Sequence, residues 1–335
     1  MKTSGGAVAW LLDRSAVLAV VRRALPWSGV LCLNYHRIGD GGRSTFDRGL
    51  WSADAENFDE HVRFLTRHCD VVTPPDLPDI LRRRRGRNVL ITFDDGYRDN
   101  YSVAFPILQG HGARATFFIS TGFLDNPRLP WWDEIAWMIR ASRKGGLHPC
   151  QWLPGPVVFD EPDRERAVRT CLRTYKKMPA EDHEPYLGWL AGSTGSGRYD
   201  SGRDVGCWMT WDMIREMRAA GMTIGGHTVN HPVLARLPLH GQRDEIVACG
   251  ERIAGELGEP MRYFSYPVGG ADSFSYDTRA CLRDAGVEYA FSYYGGFRTF
   301  DDWDDLDVRR VAIESDTNQG RVRAIATMPG LFGRA

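Results

Sequence analysis

The sequence predicts an α/β protein built on a largely parallel sheet or barrel. Three observations carry that expectation: seven short β-rich runs, helical stretches that alternate with them, and paired acidic or histidine residues where two of the runs end. The first run is VLCLNYHRI (30–38), followed by the helical pattern ENFDEHVRFLTRH (56–68). Next come NVLITFDD (88–95), the helix DNYSVAFPILQGHG (99–112) and the run ATFFIS (115–120). After an interruption, TWDMIREMRAAG (210–221) reads as a helix with Thr210 as its N-cap and Gly221 just past its end. MTIGGH (222–227), the helix HGQRDEIVACGERIAGELG (240–258) and YFSYP (263–267) continue the alternation. The helix YDTRACLRDAG (276–286) and the runs YAFSYY (289–294) and VRRVAI (308–313) complete it.

The interruption spans about 124–206 and is rich in Trp, Pro and charge, with helical stretches at 131–144, 161–177 and 180–192 but no strong strand. It reads as a helical insertion ending in a flexible loop, GSTGSGRYDSGRD. Its Trp131, Trp132, Trp137, Trp152 and Trp189 suit either packing of the insertion or a platform for sugar rings, packing being the commoner use of so large a side chain.

Composition narrows the function classes. With 335 residues, 43% hydrophobic and 25% charged, the chain is of globular type. The net charge of -1 provides no global field for nucleic acid, and no nucleic-acid partner is expected. The basic run RRRRGR (82–87) reads as a solvated helix end. Seven cysteines without a CxxC or a close pair argue against a disulfide framework or a thiolate zinc site. In the N-terminal segment (1–29) Asp13, Arg14, Arg22 and Arg23 interrupt every apolar stretch short of the ~20 residues a membrane span needs, so it reads as a packing or capping helix. No export signal is read there, which places the expected site in the cytoplasm, with a peripheral contact at the inner face of the membrane through this segment as an option.

Chemistry concentrates at two strand ends. In LITFDDGY the apolar run stops at Asp94 and Asp95, two adjacent carboxylates that would repel and be poorly solvated at the end of a buried strand unless something uses them. Successive side chains diverge, so one can face a reacting water and the other a metal; a simple Asp-Asp-Gly turn is the plainer reading. In MTIGGHTVNHP, His227 and His231 follow a strand and two glycines. If the segment turns helically, the i, i+4 spacing puts both imidazoles on one face, and two His with one Asp leave an open position for water.

TFDDG followed by HTVNH resembles the first two motifs of the polysaccharide deacetylases, the NodB-homology group of carbohydrate esterase family 4. The resemblance covers most of the chain from Val30 to about Ser315 apart from the insertion. It implies a distorted (β/α) barrel of about seven strands, a catalytic domain over 30–335. It also implies Asp94 as catalytic base and Asp95, His227 and His231 as ligands of a divalent metal, usually zinc. SYPVGG is similar to a third family motif, with Pro267 and Gly269 in place and Ser265 where an arginine usually orients the aspartate; Arg309 or Arg310 could supply that charge. The family's C-terminal histidine has no counterpart after His240, and His36, at the end of the first run, is the candidate general acid in a permuted arrangement. The backbone N–H of Tyr97 would face the oxyanion. The implied activity is removal of an N-acetyl group from an aminosugar of a glycan or a nucleotide- or lipid-linked precursor. Related deformylase chemistry, and a glycan-binding protein with a degenerate site, are the alternatives.

Overall fold

The computed structural model describes residues 27–160, 164–200 and 206–333. The predicted N-terminal helix lies almost entirely outside them. Seven strands form a closed parallel ring: β1 (Gly29–Tyr35), β2 (Arg87–Phe93), β3 (Thr116–Ile119), β4 (Thr223–Gly226), β5 (Tyr263–Ser265), β6 (Tyr289–Gly295) and β7 (Val308–Ala312). Each strand pairs with its successor in sequence, and β7 closes on β1 through Leu33↔Val311 and Asn34↔Ala312. The ring is uneven. β1 and β2 pair along their full length, from Gly29↔Arg87 to Tyr35↔Phe93, whereas β4 and β5 share only the pairing Gly226↔Phe264. A short strand, Asp70–Val72, pairs with the first half of β2, and β3 takes over at Thr92. This (β/α) barrel is the fold expected from the strand pattern.

The strands read as nearly continuous apolar runs because both of their faces are buried. Alternate side chains of β1, β2, β3, β6 and β7 enter the ring, where Val30, Cys32, Leu90, Phe118, Phe291 and Val308 make an apolar plug. Their neighbours, including Leu31, Leu33, Ile91, Phe117 and Val311, face outward against the helices. One step further along the same inward rows come Asn34, Thr92, Asp94 and Arg310, so the barrel's interior turns polar at its C-terminal end.

Helices cover the ring: α1 (Ala55–His68), α2 (Leu77–Arg83), α3 (Phe105–Gly110), α4 (Thr121–Asp125), then the insertion's α5 (Trp131–Ala141), α6 (Glu165–Lys177) and α7 (His183–Thr194). They continue with α8 (Trp211–Ala219), α9 (Leu239–Leu257), α10 (Tyr276–Asp284) and α11 (Gln319–Thr327). Local signals explain their ends: Asp54 accepts from the Asn57 amide to start α1, Thr210 accepts from Met213 to start α8, and Gly258 at φ +72° stops α9. The arginine run closes α2, with Arg84 in the left-handed conformation and Arg82 and Arg83 paired with Asp79. Gly225 and Gly226 in β4 are required by close approach, since a Cβ would lie 2.6 Å from the Phe118 ring at one and 2.2 Å from Met261 Sδ at the other.

The insertion has its own apolar cluster, in which Ile135, Ile139, Val168, Leu172, Tyr186 and Leu190 pack with Tyr97, Phe123 and Trp208 from the barrel's loops. A small antiparallel pair, Gly146–Leu147 with Val157–Val158, joins α5 to α6, an element the sequence did not signal. Trp132 is in this cluster and Trp131, Trp137, Trp152 and Trp189 pack against it. Packing therefore accounts for all five tryptophans, and Trp131 and Trp132 also reach a cleft above the barrel.

Candidate active site

The polar end of the barrel opens into a cleft of about 640 Å³, and the sequence-predicted residues His36, Asp94, Asp95, His227 and His231 all line it. Asp94 and Asp95 diverge as expected of consecutive residues leaving a strand. Gly96 (φ +93°) and Asp95 itself (φ +78°) turn the chain sharply at this point.

Asp94 faces into the barrel and is fully buried, held by a two-pronged Arg310 pair with both nitrogens 2.8 Å from its two oxygens. Ser265 Oγ donates to it at 3.2 Å and Asn34 Nδ2 at 3.3 Å. Arg310 also donates to Asn34 Oδ1 (2.7 Å), Ser265 Oγ (2.8 Å) and the Ser292 carbonyl (2.9 Å), which locks the guanidinium in one plane. Burial alone would push the Asp94 carboxyl up, but Arg310, helped by His227 and His36, holds it well below the usual carboxylate range. Of the two arginines that could replace the motif arginine, the structure selects Arg310. Arg309 is excluded because it lies on the other side of β7, where it reaches Asp307 (3.5 Å) and the Tyr294 ring (5.1 Å). Pro267 has no donor to offer Asp94; it sits in the turn after β5, where Val268 and Gly269 both adopt φ +63°.

Asp95 faces the histidines. His227 Nε2 is 3.5 Å and His231 Nε2 3.4 Å from Asp95 Oδ1, all three residues are buried, and one ligand atom from each lies within 4.8 Å of the others. The expected helical turn between the histidines is absent. The chain bends instead, with Thr228 at φ +68° and His231 at φ +57°, and Thr228 Oγ1 accepts the His231 amide at 2.9 Å. Glu245 of α9 pins the bend by accepting the Val229 and Asn230 amides. The rings still meet, with centroids 4.6 Å apart. The donor set suits a divalent ion of borderline softness. His227 Nδ1 lies 2.7 Å from the Ser265 carbonyl, an acceptor, so Nδ1 carries the proton and the Nε2 lone pair is left for an ion. Burial and the neighbouring His227 pull His231 down to about 3, which keeps it neutral and able to ligate.

His36 directly follows β1 and lines the same cleft. Its amide donates to Ser52 Oγ (3.0 Å) and its carbonyl accepts from Asn100 Nδ2 (2.6 Å), while its ring meets Tyr293 edge-on at 5.6 Å. Asn100 opens a π-helical turn (Asn100–Ala104) that leads into α3 ahead of Pro106. Tyr97 has a buried ring stacked on Trp208, and its hydroxyl donates to Asp133 at 2.9 Å and accepts from Trp132 Nε1 at 2.8 Å. Asp133 also accepts the Asp47 amide (2.8 Å), and burial pushes its carboxyl up to about 7 against the opposing charge of Arg37.

The sequence allowed the insertion's tryptophans a sugar platform, but the cations of its second helix in this cleft were not anticipated. Trp132 packs on the His231 ring at 4.4 Å, Trp131 Nε1 donates to the His231 carbonyl at 3.2 Å, and Arg173 and Lys176 of α6 line one wall. A signal did exist: α6 spaces Arg169, Arg173 and Lys176 along one helix face, flanking its buried stripe of Val168, Cys171 and Leu172.

A model of the polysaccharide deacetylases matches residues 82–290, which include Asp94, Asp95, His227, His231 and Ser265 but neither His36 nor Arg310. Over 91 residues the chain is 33% identical to Bacillus subtilis YxkH, a "Putative polysaccharide deacetylase"; that stretch is 26% of this chain and 30% of the relative's own length. The fold is similar to that of the Streptococcus pyogenes deacetylase PplD in complex with acetate (TM-score 0.59, 16% identity, 89% of this chain and 97% of that one). It is also similar to IcaB from Ammonifex degensii (TM-score 0.57, 21% identity, 90% and 98%). With the motif residues gathered in one cleft and the family match running over most of the barrel, the chain belongs to the polysaccharide deacetylase family.

Proposed function

We propose that the protein is a metal-dependent hydrolase that removes the N-acetyl group from an aminosugar of a glycan, glycolipid or polysaccharide precursor. The observation that carries this reading is the separation of two buried carboxylates into two roles within one cleft: Asp94 locked by Arg310, Asp95 turned toward His227 and His231. Asp95, His227 and His231 would hold the ion, for which zinc suits the two-imidazole, one-carboxylate donor set. A bound ion of this kind polarises the acyl carbonyl and lowers the pKa of water toward neutrality.

That chemistry matches what Asp94 can do. A carboxylate held so low is a weak base toward ordinary water and becomes an adequate one only when the water's own pKa has been depressed. Asp94 takes the water's proton as the oxygen adds to the acyl carbon, and the Tyr97 backbone N–H faces the developing oxyanion. His36, in the same cleft, delivers a proton to the sugar nitrogen as the C–N bond breaks, so the products are acetate and a free amine. Arg310 keeps Asp94 ionised and aimed throughout.

The test is acyl release from a panel of N-acetylated and N-formylated aminosugars. Asp94→Asn is expected to lower kcat by about 10² to 10⁴ while keeping its divalent metal. Full activity with metal retained would overturn the assignment, formate release alone would make the protein a deformylase, and purified protein that takes up no divalent ion would favour a glycan-binding role.

A further inference from the structure

The lining of the cleft includes cations from the insertion and carboxylates from the loop after β7. On the insertion wall, Glu165 is paired with Arg140 (2.7 Å) and Arg169 (3.3 Å), but no ion pair among the described residues takes Arg173 or Lys176. In the same lining, Glu314 and Asp316 on the loop after β7 are likewise without an ion pair among the described residues. Lys176 is half-buried, its ammonium 6.0 Å from the Trp131 ring, which is itself stacked on Tyr175 at 4.3 Å. Burial pulls its pKa down against the opposing charges of Asp47 and Asp95. Two cations three positions apart on one helix face repel, and desolvating one of them adds to that cost. The helix dipole favours a cation in the last turn, but the solvent-facing Lys177 meets that need without entering the cleft.

We propose that Arg173 and Lys176 form an anion-binding wall, and that the N-acylated aminosugar carries a phosphate or carboxylate that seats on it beside the scissile amide. The inference rests on the deacetylase reading and narrows its substrate class. A wholly neutral glycan would leave Arg173 to solvent and Lys176 to the more distant charges of Asp47 and Asp95, whereas an oxyanion gains charge-assisted hydrogen bonds from an arginine fork and a lysine point charge that the insertion has already placed. The anion would lie on the insertion side of the triad, leaving the sugar hydroxyls to the Glu314 and Asp316 side.

The experiment measures both binding and turnover with the full chain. Probes are N-acetylglucosamine 1-phosphate, an N-acetylated aminouronic acid and neutral N-acetylglucosamine oligomers, each titrated calorimetrically and assayed for acetate. The wild type is expected to bind at least one anionic probe about tenfold or more tightly than the neutral oligomers, and the preference should shrink as salt is raised. Arg173→Gln with Lys176→Met should abolish that preference, with the loss appearing in KM rather than kcat. Whichever anionic probe is preferred identifies phosphate or carboxylate as the source. Equal binding of charged and neutral probes, or an anion preference that survives the double substitution, would overturn the inference while hydrolysis of any probe sustained the deacetylase reading. Tight anion binding without acetate or formate release would do the reverse.

Discussion

The floor of the cleft and its insertion wall obey opposite electrostatic rules. On the floor the buried charge of Asp94 is met by fixed partners, Arg310, Asn34 and Ser265, while Asp95 shares its pocket with two imidazole nitrogens. On the wall, Arg173 and Lys176 line the same cleft and form no ion pair among the described residues. The contrast separates two tasks. On the proposed function, proton transfer would need a carboxylate of fixed position and ionisation, which demands a complete hydrogen-bond shell, whereas recognition would leave charges for the ligand to satisfy.

The largest test of the contrast is Arg310→Met. Removing one partner leaves Asp94 as a buried, under-compensated charge, and the unfolding free energy from denaturant titration should fall by about 3–5 kcal/mol. Arg309→Ala, on the other side of the same strand and partly exposed, should cost within about 0.5 kcal/mol. Equal effects would mean that Asn34 and Ser265 alone can hold Asp94. A smaller effect is expected from pH. Asp133 ionises near 4 in the unfolded chain but is pushed up to about 7 in the folded one. Its contribution to stability is therefore complete below about pH 4 and lost as pH rises toward 7. Asp133→Asn should flatten the dependence of Tm on pH over that window, removing a slope of up to about 4 kcal/mol, and an unchanged slope would place the charge elsewhere. The smallest change is Ser265→Ala, which removes a donor to Asp94 and an acceptor for Arg310 while leaving the carbonyl that orients His227. It should cost about 1 kcal/mol in stability with metal content preserved.

Much of the floor was legible because its signals are local. Apolar runs that stop abruptly at Asp94 and His227 mark strand ends, and a parallel ring gathers strand ends at one mouth. The bend between His227 and His231 was misjudged as helical because i, i+4 spacing is only one way to bring two rings together. Left-handed Thr228 and His231 are held by Glu245 from a different helix, a contact no local pattern announces. The choice between Arg309 and Arg310 was equally closed to the sequence: Val308 and Val311 are both buried, so β7 is apolar on both faces and alternation cannot say which arginine points inward.

By itself, then, the sequence determined the seven strands, the order in which they alternate with helices, and the four polar residues gathered at the floor of the cleft, since strand periodicity and strand-end polarity are written along the chain. Only the tertiary structure decided that Arg310 takes the place Ser265 leaves empty, that His36 lines the same cleft as Asp94 and Asp95, and that a helix far along the insertion lends its cations to that cleft. Each of these depends on closing a ring and docking an inserted unit across it, and the distances so created are set by packing between segments many residues apart.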